Sequence, residues 1–213
     1  MEPYLMIAQD GKHEIVINKS RFICHIKRVY QEQEAKQFIT EIKKQHEKAN
    51  HNCSAYQIGD HHEIQRAHDD GEPSGTAGVP MLEVLRKQDI KNCVVVVTRY
   101  FGGIKLGAGG LIRAYGNAVS QGIKTLGIVE RKAMMTMFVR GDYSWLGTLQ
   151  SRLENSHYHL KTIHYSDKIT LEILIEVNDQ DLFTQWITDL THGKITLEVG
   201  AASFQEIPYI KEV

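Results

Sequence analysis

The segment from Arg99 to Arg113 contains the residues of this sequence that are best suited to binding a ligand. Its glycines let backbone N–H groups approach a ligand closely, and the helical pattern that follows adds unpaired N–H donors and a partial positive charge. Three cationic side chains stand in the same segment, and together these features predict an anion site that suits phosphate. The predicted binding residues are Arg99, Tyr100, Phe101, Gly102, Gly103, Lys105, Gly107, Gly109, Gly110 and Arg113.

The charge pattern favours a binding surface over the alternative, a turn whose glycines only allow a strand and a helix to pack closely. Residues 90–129 contain no Asp or Glu, whereas they contain five Lys or Arg interleaved with aromatic residues. The segment is not a standard nucleotide motif, because G-x-x-x-x-G-K-[S/T] is absent and Ile112 stands where G-x-G-x-x-G requires glycine. We therefore expect contacts to the phosphates of RNA, with Tyr100 or Phe101 stacking on a base.

A second segment, from His68 to Pro80, combines two carboxylates with Gly, Pro and small hydroxyl residues. This composition fits a metal-binding or catalytic loop, or an ordered turn before a helix. We favour the turn, with Ser74 and Thr76 as helix caps. We expect Asp69 or Asp70 to brace Arg99 or Lys105 as structural support. The predicted supporting residues are Asp69, Asp70, Glu72, Ser74, Gly75 and Thr76.

The histidines do not form a metal motif. His61, His62 and Glu63 resemble half of H-E-x-x-H, but Arg66 stands at the position of the second histidine. We predict no catalytic residue, no metal site and no cofactor.

Composition excludes several classes of protein. The 213 residues include 25 Lys or Arg and 26 Asp or Glu, so a uniformly basic nucleic-acid binder is excluded, although a locally basic face is not. The longest aliphatic run, Val94–Val97, is far shorter than the roughly 20 residues that span a bilayer, and the first residues do not resemble a signal peptide. Three widely spaced cysteines fit buried thiols in a reducing compartment. We expect a cytoplasmic protein with no membrane association.

Hydrophobic periodicity predicts an α+β fold in two domains, residues 1–130 and 131–213, with net charges of +2 and −3. In the first domain it predicts strands at 14–18, 21–29, 53–58 and 93–98, and helices at 31–49, 81–87 and 109–126. In the second it predicts the order β-α-β-β-α-β, which is the ferredoxin-like pattern. Asp142 is the expected cap of the first helix there, and Gly193 the residue that follows the second.

Two blocks of the sequence resemble the signature of the IMPACT/YigZ family in its bacterial two-domain form. One is Asp69-Asp-Gly-Glu-Pro-Ser-Gly-Thr-Ala-Gly78, and the other runs from Val96 through Arg99-Tyr-Phe-Gly-Gly to Gly107. The resemblance extends over essentially the whole chain. It implies a first domain like domain 2 of ribosomal protein S5, also seen in domain IV of elongation factor G. It also implies a ferredoxin-like second domain similar to domain V of that factor.

The leading functional hypothesis is a non-enzymatic accessory or regulatory protein of translation. It would bind RNA or the ribosome through the basic, glycine-rich face of the first domain. The alternative is an enzyme that acts on a small phosphorylated ligand, because small-molecule kinases also use the S5-like fold with a glycine loop before a helix. Asp69 or Asp70 would then bind a metal or act as a base. A third possibility is a module that binds a protein partner and whose glycines are only structural.

Overall fold

The structure, a computed structural model, describes residues 3–59 and 61–209. Its contacts divide the chain into two units. Residues 132–205 form one unit, and the residues before Lys132 form the other together with the segment that begins at Glu206. The strands pair in two antiparallel sheets accompanied by helices, so the fold class is α+β. No helix among the described residues is long and apolar enough to span a membrane.

The first unit is built around a five-stranded sheet. Its elements are β1 (Tyr4–Ile7), β2 (Gly11–Ile17), β3 (Ser20–Arg28), α1 (Glu32–Gln45), β4 (His51–Ile58), β5 (Ile64–His68), α2 (Gly78–Lys87), β6 (Cys93–Tyr100) and α3 (Gly107–Leu126). The strand order is β2-β3-β6-β4-β5. Strand β6 is central because its apolar run can be buried on both faces. Val95 and Val97 share a core with residues of α2 and α3, and Val94 shares one with residues of α1. The prediction of a buried central strand is confirmed.

A tight hairpin joins β2 to β3. Ile17 pairs with Ser20, and the two residues between them, Asn18 and Lys19, have φ angles of 46° and 64°. Positive φ at both central residues is the geometry of a type I′ turn, whose twist matches that of the flanking strands. The predicted hairpin is confirmed, and its turn contacts the loop that follows β6.

The register of the central strands fixes where the candidate residues face. Arg99 of β6 pairs with Phe22 of β3 on one side and with His51 of β4 on the other. Because side chains alternate along a strand, these three share the face covered by α2 and α3. Tyr100 points to the opposite face, where its hydroxyl lies 2.9 Å from Nδ1 of His46, just after α1.

The second unit has the predicted order β-α-β-β-α-β. Its elements are β7 (Ile128–Gly141), α4 (Leu146–Glu154), β8 (His159–Tyr165), β9 (Ile169–Glu176), α5 (Gln180–Thr191) and β10 (Thr196–Pro208). β9 pairs with both β7 and β8, and β10 pairs with β7. One sheet face and both helices share a core that includes Val139, Leu149, Ile173 and Phe183.

The structure differs from the predicted elements in several places. Strands β1 and β5 were not predicted, because β1 has only four residues and β5 is short and polar, as edge strands often are. The first helix ends at Gln45 rather than at residue 49. Asp142 precedes a short 3₁₀ turn, not α4 itself, and makes no side-chain cap there. Gly193 follows α5 with φ of 68° and donates its N–H to the carbonyl of Thr188, as predicted.

Candidate functional site

The loop between β6 and α3 exposes apolar and cationic side chains together. Phe101 and Ile104 are 45% and 43% exposed, and Lys105 is exposed between them and the helix. Arg113 is exposed on α3. We call residues 101–113 the glycine-loop face.

The glycines of this face have different roles. At Gly102 a Cβ atom would lie 2.0 Å from the backbone carbon of Lys19, so this glycine permits close packing on the hairpin turn. Gly103 and Gly107 have φ angles of 83° and 68°, and a Cβ at either would meet no atom of the described residues within 4 Å. They provide left-handed backbone conformations at an open surface. A Cβ at Gly110 would lie 3.0 Å from Cβ of Leu106, whereas one at Gly109 would lie 3.7 Å from the side chain of Arg113.

Helix α3 begins without a side-chain cap. Leu106 occupies the cap position, no described side chain makes a capping hydrogen bond there, and no acidic residue lies in the first turn. Gly107, Ala108 and Gly109 are exposed. The first N–H groups of a helix have no partner within the helix, so this end offers donors and a partial positive charge to solvent.

Arg99 does not lie on this surface. The residue is 5% exposed, and its Nη1 donates to Oε1 of Glu72 at 2.7 Å. Its guanidinium carbon lies 5.4 Å from the ring centroid of Phe22 and 5.5 Å from that of Phe101. The structure therefore pairs the Arg99 charge inside the protein, whereas the sequence suggested a group that contacts phosphate.

Glu72 is the centre of a buried network. Its Oε1 also accepts a hydrogen bond from the Tyr115 hydroxyl at 2.7 Å, and its Oε2 lies 3.8 Å from Nε2 of His51. The Cys53 thiol donates a hydrogen bond to the Tyr115 oxygen, which lies 3.4 Å from its Sγ. Burial is the main cause that raises the pKa of Tyr115, and it raises the pKa of the Cys53 thiol to about 12. Both groups therefore stay protonated and act as donors.

Asp69 caps the N-terminal end of helix α2 and does not brace Arg99 or Lys105. Its carboxylate accepts the backbone N–H groups of Gly75, Ala77 and Gly78 at 2.8–3.0 Å. The expectation that Ser74 and Thr76 cap this helix is wrong, because Asp69 bonds these N–H groups and the Thr76 hydroxyl donates to the carbonyl of Pro73.

Asp70 is also engaged away from the glycine-loop face. One carboxylate oxygen accepts from Nζ of Lys43 at 2.5 Å, and the other accepts the N–H of Asn52 at 2.7 Å. Burial alone would raise the pKa of this carboxyl, but Lys43 and the N–H donor outweigh it and leave the pKa low. The expectation that Asp69 or Asp70 braces Arg99 or Lys105 is therefore wrong, and Glu72 pairs with Arg99 instead.

Sequence reasoning missed a further cation beside the loop. Lys19 is exposed, and its backbone contacts Gly102. No local signal connects it to the glycines, which stand about 80 residues later in the chain, because only the β3–β6 pairing brings them together. Among the described residues, no group of three or more His, Cys, Asp or Glu side chains is placed to hold a metal ion.

The sequence matches two family models. Residues 18–123 match the Impact N-terminal domain, and residues 139–194 match a domain of unknown function, DUF1949. The glycine-loop face, Glu72 and Arg99 all lie within the first match.

Similar proteins extend over both matched regions. The IMPACT family member YvyE of Bacillus subtilis is 54% identical over 100% of this chain and 99% of its own. The IMPACT family member YigZ of Escherichia coli is 32% identical over 92% of this chain and 98% of its own. A solved structure described as that of a hypothetical protein matches the full length of both chains, with a TM-score of 0.59 and 29% identity. From these matches we conclude that the chain belongs to the IMPACT family, in its bacterial two-domain form.

Proposed function

We propose that this protein is an accessory or regulatory protein of translation that binds RNA or the ribosome through the glycine-loop face. The observation that carries the proposal is the composition of this face. It exposes Phe101, Lys105, Arg113 and the uncapped start of α3, in a stretch of sequence without a carboxylate. Cations and free N–H groups suit phosphates, and an exposed aromatic ring suits a base.

We also propose the fold names that the family resemblance implies. The first unit would be like domain 2 of ribosomal protein S5. The second would be ferredoxin-like, similar to domain V of elongation factor G, with a domain boundary near residues 130 and 131. The order β-α-β-β-α-β with strands arranged as β10-β7-β9-β8 supports the second assignment. Ribosomal protein S5 is part of the ribosome and elongation factor G works on it, so the resemblance argues by analogy for the same setting.

The binding function is better supported than the kinase-like alternative. That alternative requires Asp69 or Asp70 as a metal ligand or base beside the glycines. The carboxylate of Asp69 accepts three backbone N–H groups at the start of α2, and that of Asp70 pairs with Lys43 and Asn52. A base or metal ligand needs free lone pairs facing the substrate, and neither group offers them at the glycine-loop face.

Binding to short single-stranded RNA and to ribosomes, measured over a range of salt concentrations, tests the proposal. Removing two phosphate contacts to a single strand should make the negative slope of log K against log salt shallower by about 1.4. We expect this change for the double variant Lys105→Gln with Arg113→Gln. The exposed cations Lys87 and Lys124 supply the matched control, Lys87→Gln with Lys124→Gln, which removes the same charge. Lys124 lies about 16 Å along α3 from Arg113.

The control variant should bind like the wild type. Equal weakening by the two double variants would mean that net charge, and not the glycine-loop face, determines binding. A wild-type protein that binds neither RNA nor ribosomes at low salt would exclude the proposed function.

A further inference from the structure

We propose that Arg99 is a positioning residue that fixes the ring of Phe101 as a stacking platform for an unpaired base of single-stranded RNA. This inference rests on the proposed function and names its ligand class. Arg99 is buried and cannot reach a phosphate at the surface, so its proposed role in binding is indirect.

The guanidinium of Arg99 lies close to two aromatic rings. Its central carbon lies 5.4 Å from the ring centroid of Phe22 and 5.5 Å from that of Phe101, both within the range of a cation–π contact. Phe22 is fully buried in the core, so packing restricts its ring and gives Arg99 a fixed contact. Glu72 sets the remaining orientation through its 2.7 Å contact with Nη1.

The hydrogen bonds of Arg99 alone do not account for its placement. Its Nε is buried and has no hydrogen-bond partner among the described residues. An unpaired buried donor is costly, so another interaction must favour this placement. The two ring contacts and the ion pair with Glu72 supply that interaction.

Phe101 is anchored at its backbone but open at its side chain. Its N–H donates to Oδ1 of Asn50 at 2.8 Å, and the next N–H, of Gly102, donates to Oγ of Ser20 at 3.1 Å. The residue nevertheless remains 45% exposed. The Phe101 ring therefore contacts the Arg99 guanidinium and still has surface that is open to solvent. Such an ordered ring binds a base with little loss of side-chain entropy.

The exposed ring of Phe101 should favour single-stranded over duplex RNA. In a duplex the faces of the bases are stacked on one another, whereas in a single strand they are free to stack on an aromatic side chain. Lys105 and Arg113 would contact the phosphates on either side of such a base. We therefore assign single-stranded RNA as the ligand class, with duplex RNA as the comparison in the test.

The test uses short single-stranded RNA that contains 2-aminopurine, whose fluorescence falls when it stacks on an aromatic ring. Wild type should quench it and bind the duplex form more weakly. Phe101→Leu should bind the single strand about tenfold more weakly and lose the quenching, while its salt slope stays at the wild-type value. Phe101→Trp should restore both affinity and quenching. Arg99→Lys keeps the charge beside Glu72 but lacks the planar group, so it should lose most of the quenching with its salt slope unchanged.

The outcomes separate this inference from the proposed function. Normal quenching by Phe101→Leu, or equal affinity for duplex and single strand, would overturn the inference and leave the phosphate-binding face intact. Arg99→Lys with full quenching would overturn the positioning role. In the wild type, the NMR signals of the Arg99 side chain should carry ring-current shifts that change in Phe101→Leu. Their absence would overturn that role even if Arg99→Lys did not fold. No RNA binding by the wild type would overturn both.

Discussion

Glu72 compensates the charge of Arg99 in the interior of the first unit, where both side chains are almost fully buried. Removing one member of a buried ion pair leaves the other charge unpaired in a poorly solvated site, which typically costs about 3–5 kcal/mol. We expect Glu72→Ala to lower the free energy of unfolding by this amount. It should also loosen Phe101, because Arg99 contacts that ring.

Urea unfolding followed by circular dichroism measures this loss. Glu83→Ala is the control, since Glu83 is exposed on α2 and its replacement should change stability by less than about 0.5 kcal/mol. Equal effects of the two substitutions would contradict the role of Glu72.

Asp69 links pH to stability. Burial tends to raise the pKa of its carboxyl, but the N–H groups of Gly75, Gly78 and Ala77 together bring the pKa below its ordinary value of 3.8. A carboxyl whose pKa is lower in the folded than in the unfolded protein stabilises the fold fully above its unfolded pKa. This contribution is lost as the pH falls through the folded pKa.

Asp69→Asn removes this charged helix cap. We expect it to lower the free energy of unfolding by about 1 kcal/mol at neutral pH, with the difference from wild type shrinking below about pH 4. Urea unfolding at a series of pH values checks both statements. A difference that stays constant from pH 7 to pH 3 would show that the carboxylate charge does not contribute.

At the scale of elements, the loop after β6 depends on its contact with the β2–β3 turn. A Cβ at Gly102 would overlap the backbone of Lys19, and backbone cannot move aside as a flexible side chain can. We expect Gly102→Ala to cost about 1–3 kcal/mol.

Gly147→Ala is the matched substitution, because a Cβ at Gly147 in α4 would have no described atom within 4 Å. It should leave the melting temperature unchanged or raise it, since alanine favours a helix by about 0.5–1 kcal/mol over glycine. A similar fall in melting temperature for both variants would mean that the contact of Gly102 with Lys19 is unimportant.

Elements with strong local signals could be predicted from the sequence, and elements defined by their partners could not. The valine run of β6 and the apolar stripe of α3 carry their own periodicity. Strand β5, Ile64–His68, is polar and short, and it is a strand only because β4 offers it a free edge. Similarly, β1 is four residues that pair with the start of β7.

The candidate site was predictable in composition but not in geometry. From the sequence we predicted that Arg99 contacts phosphate. No local pattern indicates that its side chain on β6 is buried. In the sequence, three acidic residues are candidates to pair with Arg99, namely Asp69, Asp70 and Glu72. The segment that contains them has left-handed backbone at Asp70, Gly71 and Gly75. A turn of this kind cannot be derived from residue types alone.

For the molecule as a whole, the proposed RNA binding should depend on local charge and not on net charge. The chain is almost neutral, at −1, and the Debye length at physiological ionic strength is only about 8 Å. Glu154→Gln with Glu198→Gln removes two exposed carboxylates from the second unit. We expect the dissociation constant for RNA to stay within about twofold of wild type. Tighter binding beyond that range, in a filter-binding assay at 150 mM salt, would show that net charge contributes to binding.

The two side-chain anchors at the start of the glycine loop have a kinetic consequence. Asn50 and Ser20, from opposite sides of β6, each accept one N–H of the loop, so its ordering is completed when the protein folds. A ligand then meets a surface that is already arranged, and its association is limited by diffusion and electrostatic steering instead of by loop closure. Differences in affinity among ligands should therefore appear as differences in residence time, with arrival rates that are nearly the same for all of them.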